Sequence, residues 1–209
     1  MAAIMAASMD SAAATPAALE DLEFELLLEA LQRHVGFDFR GYEQGALRRK
    51  LRGLMLRRGL ATVSALQDRA LHDAATGAAL LRALSVAPAA LFDDPVCWAS
   101  LRGLLANCLA ASPLPKIWLA ECAGAEEAWT LAILLQEQGL HARSEIFATS
   151  ANAQLLAEAA QADFPAARLD AYAENYRRSG GSAVFADYFQ VHNGRAALLP
   201  QLRSRITWS

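Results

Sequence analysis

Ile117-Trp118-Leu119-Ala120-Glu121-Cys122-Ala123-Gly124-Ala125-Glu126-Glu127 is the stretch that decides the fold. Its first four residues read as a short buried strand and its middle as a loop. The two acids open a helix running to Gln138, with Trp129, Ile133 and Gln136 at helical spacing and Gly139 at its end. Ser144 to Thr149 follows as a second strand, and Ala153 to Ala162 as a second helix. A β-loop-α-β-α order opens a parallel α/β sheet. The joint between strand and helix N-terminus is where such folds hold nucleotide-like cofactors, because glycine there lets backbone approach the ligand. This loop holds only Gly124 and carries Glu121 at its centre, so spacing alone is a weak cofactor signal.

Downstream, Tyr188 to Val191, Asn193-Gly194 and Arg195 to Leu199 read as a β-hairpin, Asn-Gly being the strongest short hairpin signal. Arg205 to Trp208 is a last strand candidate. Upstream, the periodicity predicts helices over 19–35, 45–58, 62–74 and 77–84. The apolar stripe of the first runs through Leu22, Leu26 and Ala30, with Leu19, Leu27 and Leu31 beside it. Leu47, Leu51, Leu54 and Met55 share one side of the second, and Thr62 and Ser64 are candidate caps for the third. Ala87 to Pro95 is a break, and Val96 to Ala111 reads as a further helix. The expected fold class is thus α/β: an all-α helical bundle over 19–95, then over 96–209 a partial Rossmann-like sheet with a small antiparallel hairpin. Residues 1–18, rich in Ala, Ser and Met, read as a flexible tail or a fraying helix.

Composition bounds the function. The chain has 209 residues and a formal charge of −3, and 47 of its residues are alanine, so large core-formers are scarcer than its 55% hydrophobic content suggests. Charged residues at 20% exclude a wholly disordered chain. No apolar run is long enough to span a membrane, and the start lacks the basic region of a secretory signal. Cys97, Cys108 and Cys122 have neither paired nor metal-type spacing, which points away from disulfides and zinc and toward a reducing cytoplasm.

Phe37-Asp38-Phe39-Arg40-Gly41-Tyr42 followed by Leu47-Arg48-Arg49-Lys50-Leu51 resembles the N-terminal helical domain of CheR-type chemoreceptor methyltransferases. Ile117 to Cys122 with Glu126 to Ile133 resembles their S-adenosylmethionine loop, and Phe147-Ala148-Thr149 resembles the end of their second strand. The resemblance covers about residues 20–209 and implies a helical domain joined to a methyltransferase domain, with an antiparallel subdomain inserted before the third strand. Active members move a methyl group from S-adenosylmethionine to a glutamate side chain of a chemoreceptor helix.

The departures from that pattern concern the working residues. The family loop runs Ala-Gly-Cys-Ser-Thr-Gly-Glu-Glu; here Ala120 and Cys122 match, while Glu121, Ala123, Gly124 and Ala125 replace the glycines, serine and threonine. Ser150 stands where the family has an acid for the ribose hydroxyls. In the stretch that the family writes Asn-x-Thr-x-Phe-Phe-Arg-Asp-Pro, this chain has Ala87, Ala89 and Asp93 for the Asn, Thr and Arg. Asp93 thus replaces an arginine beside the methyl-transfer site and would repel a glutamate substrate. Each lost multiply bonded contact costs about 1–3 kcal/mol, and about 1.4 kcal/mol is tenfold in affinity. The resemblance therefore implies a cofactor site at Ala120, Glu121, Cys122, Glu127 and Ser150 that is eroded, with no catalytic residue. The chain also stops at what would be the third strand, leaving Ile117 to Ala120 as a bare sheet edge open to association.

Arg48, Arg49, Arg52, Arg57 and Arg58 crowd the second predicted helix, with no acid between residues 44 and 58. They read either as a docking face for an acidic helical partner such as a chemoreceptor or as a solvated face in a chain with 17 arginines and 2 lysines. Nucleic acid is disfavoured by the net charge and the lack of interleaved aromatics. Glu126 and Glu127 read as a cofactor-binding remnant or as complements of the helix dipole, and Cys122 as a small buried residue. His34, His72, His141 and His192 are scattered and read as surface or cap residues with no metal site; the four tryptophans read as core or interface. The expectation is a cytoplasmic CheR-like signalling protein that binds partners and takes no cofactor. The alternatives are an active S-adenosylmethionine-dependent protein-glutamate methyltransferase, and a homo-oligomer built through the unfinished sheet.

Overall fold

The computed structural model describes residues 15–109, 111–150 and 152–209, so residues 1–14 of the tail expected over 1–18 lie outside the described residues, while 16–18 are helical. The chain divides into two compact units between Leu84 and Ser85, and each has its own core. The break at 87–95, grouped with the helices from the sequence, falls in the second unit.

The first unit is four helices: α1 (Pro16–Val35), α2 (Gln44–Arg58), α3 (Val63–His72) and α4 (Ala74–Leu84). Side-chain caps set their starts. The hydroxyl of Thr62 accepts from the amide of Ala65, as expected. Asp73 accepts from the amides of Ala75 and Thr76, which starts α4 at Ala74 rather than at Gly77. Helix α1 starts at Pro16 rather than Leu19, with Thr15 as its cap. Its buried face also differs from the expected stripe. Phe24, Leu27, Leu28 and Leu31 enter the core with Leu47, Leu51, Leu54, Leu66, Leu80 and Leu84, while Leu22 and Leu26 stay half exposed. Helix α1 carries two apolar rows, and the one with the phenylalanine removes more apolar area from water.

The second unit runs α5 (Pro95–Leu109), β1 (Lys116–Leu119), α6 (Glu126–Glu137), β2 (Glu145–Ala148), α7 (Ala153–Ala160), β3 (Phe164–Pro165), α8 (Leu169–Arg178), β4 (Phe189–His192), β5 (Arg195–Leu198), α9 (Pro200–Arg203) and β6 (Ile206–Trp208). Strands β1, β2 and β6 form a parallel sheet in that order, with Leu119 opposite Ala148 and Ala148 opposite Trp208. Strands β3, β5 and β4 form a separate antiparallel sheet inserted before β6. Its hairpin turns at Asn193 and Gly194, both at positive φ (50° and 73°), as a primed two-residue turn requires. The expected architecture is therefore the observed one. Helix α6 is buried from Ala128 to Leu135, as a helix laid against a sheet inside a core must be. Strands β1 and β6 are the edges of this sheet among the described residues, and Trp118 is 71% exposed on β1. No described helix is long and apolar enough to cross a membrane.

Candidate functional site

The parallel pairing of β1 and β2 brings two strand ends side by side, and the loop after β1 folds back over them. The amide of Thr149 donates to Leu119 O (3.0 Å), and the amide of Cys122 donates to Thr149 O (2.8 Å). Between these ties the chain turns through Glu121 at φ 55°. That is left-handed backbone, which glycine adopts freely and a side chain disfavours. Ala120 and Glu121 are exposed, so the Glu121 carboxylate is solvated.

Cys122 is buried, its Sγ 3.7 Å from Leu119 O. Burial, with the carboxylates of Glu127 and Glu121, pushes its thiol up to about 11, so it stays protonated and is no nucleophile at neutral pH. Glu126 and Glu127 open α6, whose cap position, Ala125, offers no side-chain acceptor. Desolvation raises the pKa of both carboxyls, while backbone amides around residues 123–126 donate to them. Glu127 also accepts from the Cys122 thiol. Both acids thus lie at the helix N-terminus with backbone donors beside them.

The segment before α5 is fastened beside this loop. A Cβ added at Gly124 would stand 2.7 Å from Pro88 Cβ and 2.5 Å from Glu126 Oε2, so the Pro88 ring packs on bare backbone. Phe92 is fully buried at φ 54°. Its amide donates to Thr130 Oγ1 (3.3 Å), and its ring meets Trp98, Tyr176 and Phe185 edge-on. Asn175 of α8 donates to Leu91 O (3.2 Å). Asp94 caps α5 through the amide of Cys97 (3.0 Å). Asp93 is exposed on this clamped turn. Behind it, the Glu137 carboxylate accepts from Arg102 and from the Tyr176 hydroxyl. This network tying α5, α6 and α8 was invisible in the sequence because its members lie far apart along the chain.

Of the predicted site residues, Ala120, Glu121, Cys122 and Glu127 gather on the loop, and Ser150 lies at the end of β2. The Ser150 hydroxyl accepts from the amide of Asn152 (3.3 Å), the cap of α7, and its own amide donates to Ser209 O (3.3 Å). The basic residues of α2 are less free than expected. Arg48 pairs with Asp21 (2.8 Å) and lies 4.1 Å over the Phe24 ring, so it faces α1 rather than solvent. Arg52 pairs with Glu20 (2.8 Å), Arg49 lies 3.7 Å from Glu43, and Arg58 donates to Thr76 Oγ1 (3.0 Å). Arg57 has no ion pair among the described residues. His141, expected at the surface, is buried with Nε2 3.0 Å from Leu202 O. The apolar run that precedes it carries it inward. No group of His, Cys, Asp and Glu among the described residues is arranged to hold a metal ion.

Comparison with known proteins covers both units. Residues 22–85 match the family model of the CheR methyltransferase all-alpha domain, and residues 92–207 that of the CheR methyltransferase SAM binding domain. A Pseudomonas putida protein, Cher3, named as a provisional methyltransferase, is 35% identical over 189 residues, 90% of this chain and 69% of that one. An uncharacterized 104.1 kDa protein from the hypE 3' region of Rhodobacter capsulatus is 26% identical over 192 residues, 88% of this chain and 19% of its own length.

Proposed function

We propose that this chain, which belongs to the CheR methyltransferase family, retains the family's scaffold and works by binding partners in a chemotaxis-type pathway, its S-adenosylmethionine site having eroded. The observation that carries the reading is residue 121. Its backbone keeps the left-handed turn that suits glycine, yet the residue is glutamate. A conformation retained after its residue was replaced is what erosion on a kept scaffold leaves behind.

The other residues around the loop support the reading. The donor set fits S-adenosylmethionine poorly. Ser150 offers one hydroxyl, already engaged with Asn152, where a ribose diol calls for a carboxylate. Pro88 packs on the loop backbone at Gly124. Asp93 presents a negative charge where a glutamate-methylating enzyme needs a positive one. We derive no methyl-transfer step through such a site. The partner we propose is an acidic helix, as of a chemoreceptor, meeting the solvent-facing Arg49, Arg52 and Arg57 of α2, and the location we propose is the cytoplasm. Isothermal titration with S-adenosylmethionine and its demethylated product tests the cofactor claim: micromolar binding of either refutes it. Changing Arg49 and Arg57 to Glu is expected to abolish capture of receptor-rich membranes.

Two observations favour a second reading, an active protein-glutamate methyltransferase. The match to the family's SAM binding domain runs nearly to the end of the chain, and the loop keeps its backbone ties to β2. Transfer of labelled methyl groups to receptor-rich membranes would establish it. A third, a homo-oligomer through the open β1 edge, would appear in sedimentation as a dimer lost on changing Trp118 to Lys.

A further inference from the structure

Helix α1 was left with a second apolar row that its own core does not use. Leu19, Leu22 and Leu26 are 50%, 51% and 51% exposed, at positions i, i+3 and i+7 of one helix. Leu22 and Leu26 line a groove of about 540 Å3, with Phe24 and Leu28 also lining it and Gln44 and Arg48 among the residues of its opposite wall. Scattered surface leucines need no explanation, but an aligned row flanking a groove marks a binding surface.

The charges along the groove say what would occupy it. Asp21, Glu25 and Glu29 follow one another at i, i+4 and i+8, beside the leucine row. Asp21 is neutralised by Arg48, and Glu29 by Arg33 and Arg40. Arg40 is further held by Asp38. Glu25, in the middle, has no ion pair among the described residues, and both its neighbours four residues away are acids, an arrangement that disfavours the helix. The guanidinium groups lining the groove are spent on acids of this chain, and the uncompensated charge is the Glu25 carboxylate.

We propose that this groove on α1 docks an amphipathic helix of a partner protein that presents apolar residues at i, i+3 or i+4, and i+7, flanked by Lys or Arg. This is helix-in-groove recognition, with the basic flank setting the choice of partner. A second copy of α1 is disfavoured, since it brings the same acidic row to the groove. The surface does not include Arg49, Arg52 or Arg57 of α2, and it does not depend on whether the cofactor site is eroded.

The test uses the full chain and two synthetic helical peptides with one leucine pattern, one flanked by lysines and the other by glutamates. Fluorescence anisotropy at low and moderate salt reads their affinities. The lysine peptide is expected to bind at least tenfold tighter than the glutamate peptide. Glu25→Lys reverses that preference, and Leu22→Ser with Leu26→Ser weakens both peptides at least tenfold. Circular dichroism checks that the variants stay folded, as substitutions of half-exposed leucines should. The proposal is overturned if neither peptide binds, if the glutamate peptide binds as well as the lysine peptide, or if the leucine changes leave binding untouched. It is overturned in favour of a second copy if the wild-type chain sediments as a dimer that the leucine changes dissolve.

Discussion

Changing Glu121 to Gly should stabilise the protein, against the usual direction of a loop substitution. Left-handed backbone costs a residue with a Cβ about 1–2 kcal/mol, and Glu121 sits there at φ 55°. Glycine removes that cost but loses about 0.5–1 kcal/mol of extra chain entropy on folding, which leaves a net gain of about 0.5–1 kcal/mol. The thermal midpoint should rise by about 1–4 °C for a chain of this length. The carboxylate is exposed, so removing it alone should change stability by less than about 0.5 kcal/mol. Glu121→Ala is therefore the control: it deletes the charge and keeps the Cβ. Glu121→Asn should fall between, since asparagine tolerates this conformation. Scanning calorimetry on the four proteins reads the order Gly, Asn, then Glu and Ala together. If Ala gains as much as Gly, the cost lay in the carboxylate, and the argument that backbone has outlived its residue fails. Adding Ser150→Asp to Glu121→Gly should restore only partial S-adenosylmethionine binding, because the Pro88 contact remains, and should restore no transfer, because Asp93 remains.

Other perturbations follow from the same packing. Gly124→Ala should cost about 1–3 kcal/mol in a denaturant titration, since its Cβ would stand 2.7 Å from Pro88 Cβ, and Pro88→Gly, which removes that atom, should recover part of the loss. Gly181→Ala should be at least as damaging, its Cβ falling 2.3 Å from the Tyr176 ring. Arg102→Met leaves the Glu137 carboxylate, 13% exposed, without its cation and should cost about 3 kcal/mol; Arg102→Met with Glu137→Leu should cost less than the single change. Burial lowers the pKa of His141, which is neutral in the fold. Its contribution is fully present above the unfolded value near 6.5 and is lost as pH falls below it, so His141→Gln should flatten the stability profile between about pH 7 and 5.

The strand–loop–helix joint, the cap at Thr62, and the Asn193–Gly194 hairpin were legible because each depends on residues adjacent in sequence. Helix α8 was passed over: Tyr172 and Tyr176 are its only fully buried side chains, in a run otherwise polar enough to read as a loop. The signal was there at i and i+4, with Leu169 one turn earlier, but aromatics carried it rather than leucines. The face of α1 failed differently. Two apolar rows are equally helical, and only the presence of α2 and α3 selects the one that is buried. The basic row on α2 was visible, but its neutralisation by Glu20 and Asp21 of α1 was not, because those pairs join residues about thirty positions apart.

The candidate site shows why backbone and side-chain evidence can disagree about function. The loop after β1 is held by the amides of Thr149 and Cys122, bonds that every residue except proline can make. Replacing glycine by glutamate, or an acid by serine, leaves those bonds in place, so the loop keeps its path whatever its side chains can bind. The strain at Glu121 is small enough for a domain core of this size to absorb. A family match and a preserved loop path therefore testify to the scaffold; in the proposed reading, affinity for the donor turns on Glu121 and Ser150, and Asp93 bears on the transfer step. If the erosion argument is right, donor titration and methyl transfer fail together in the native chain. Binding without transfer would instead place the defect at Asp93 alone.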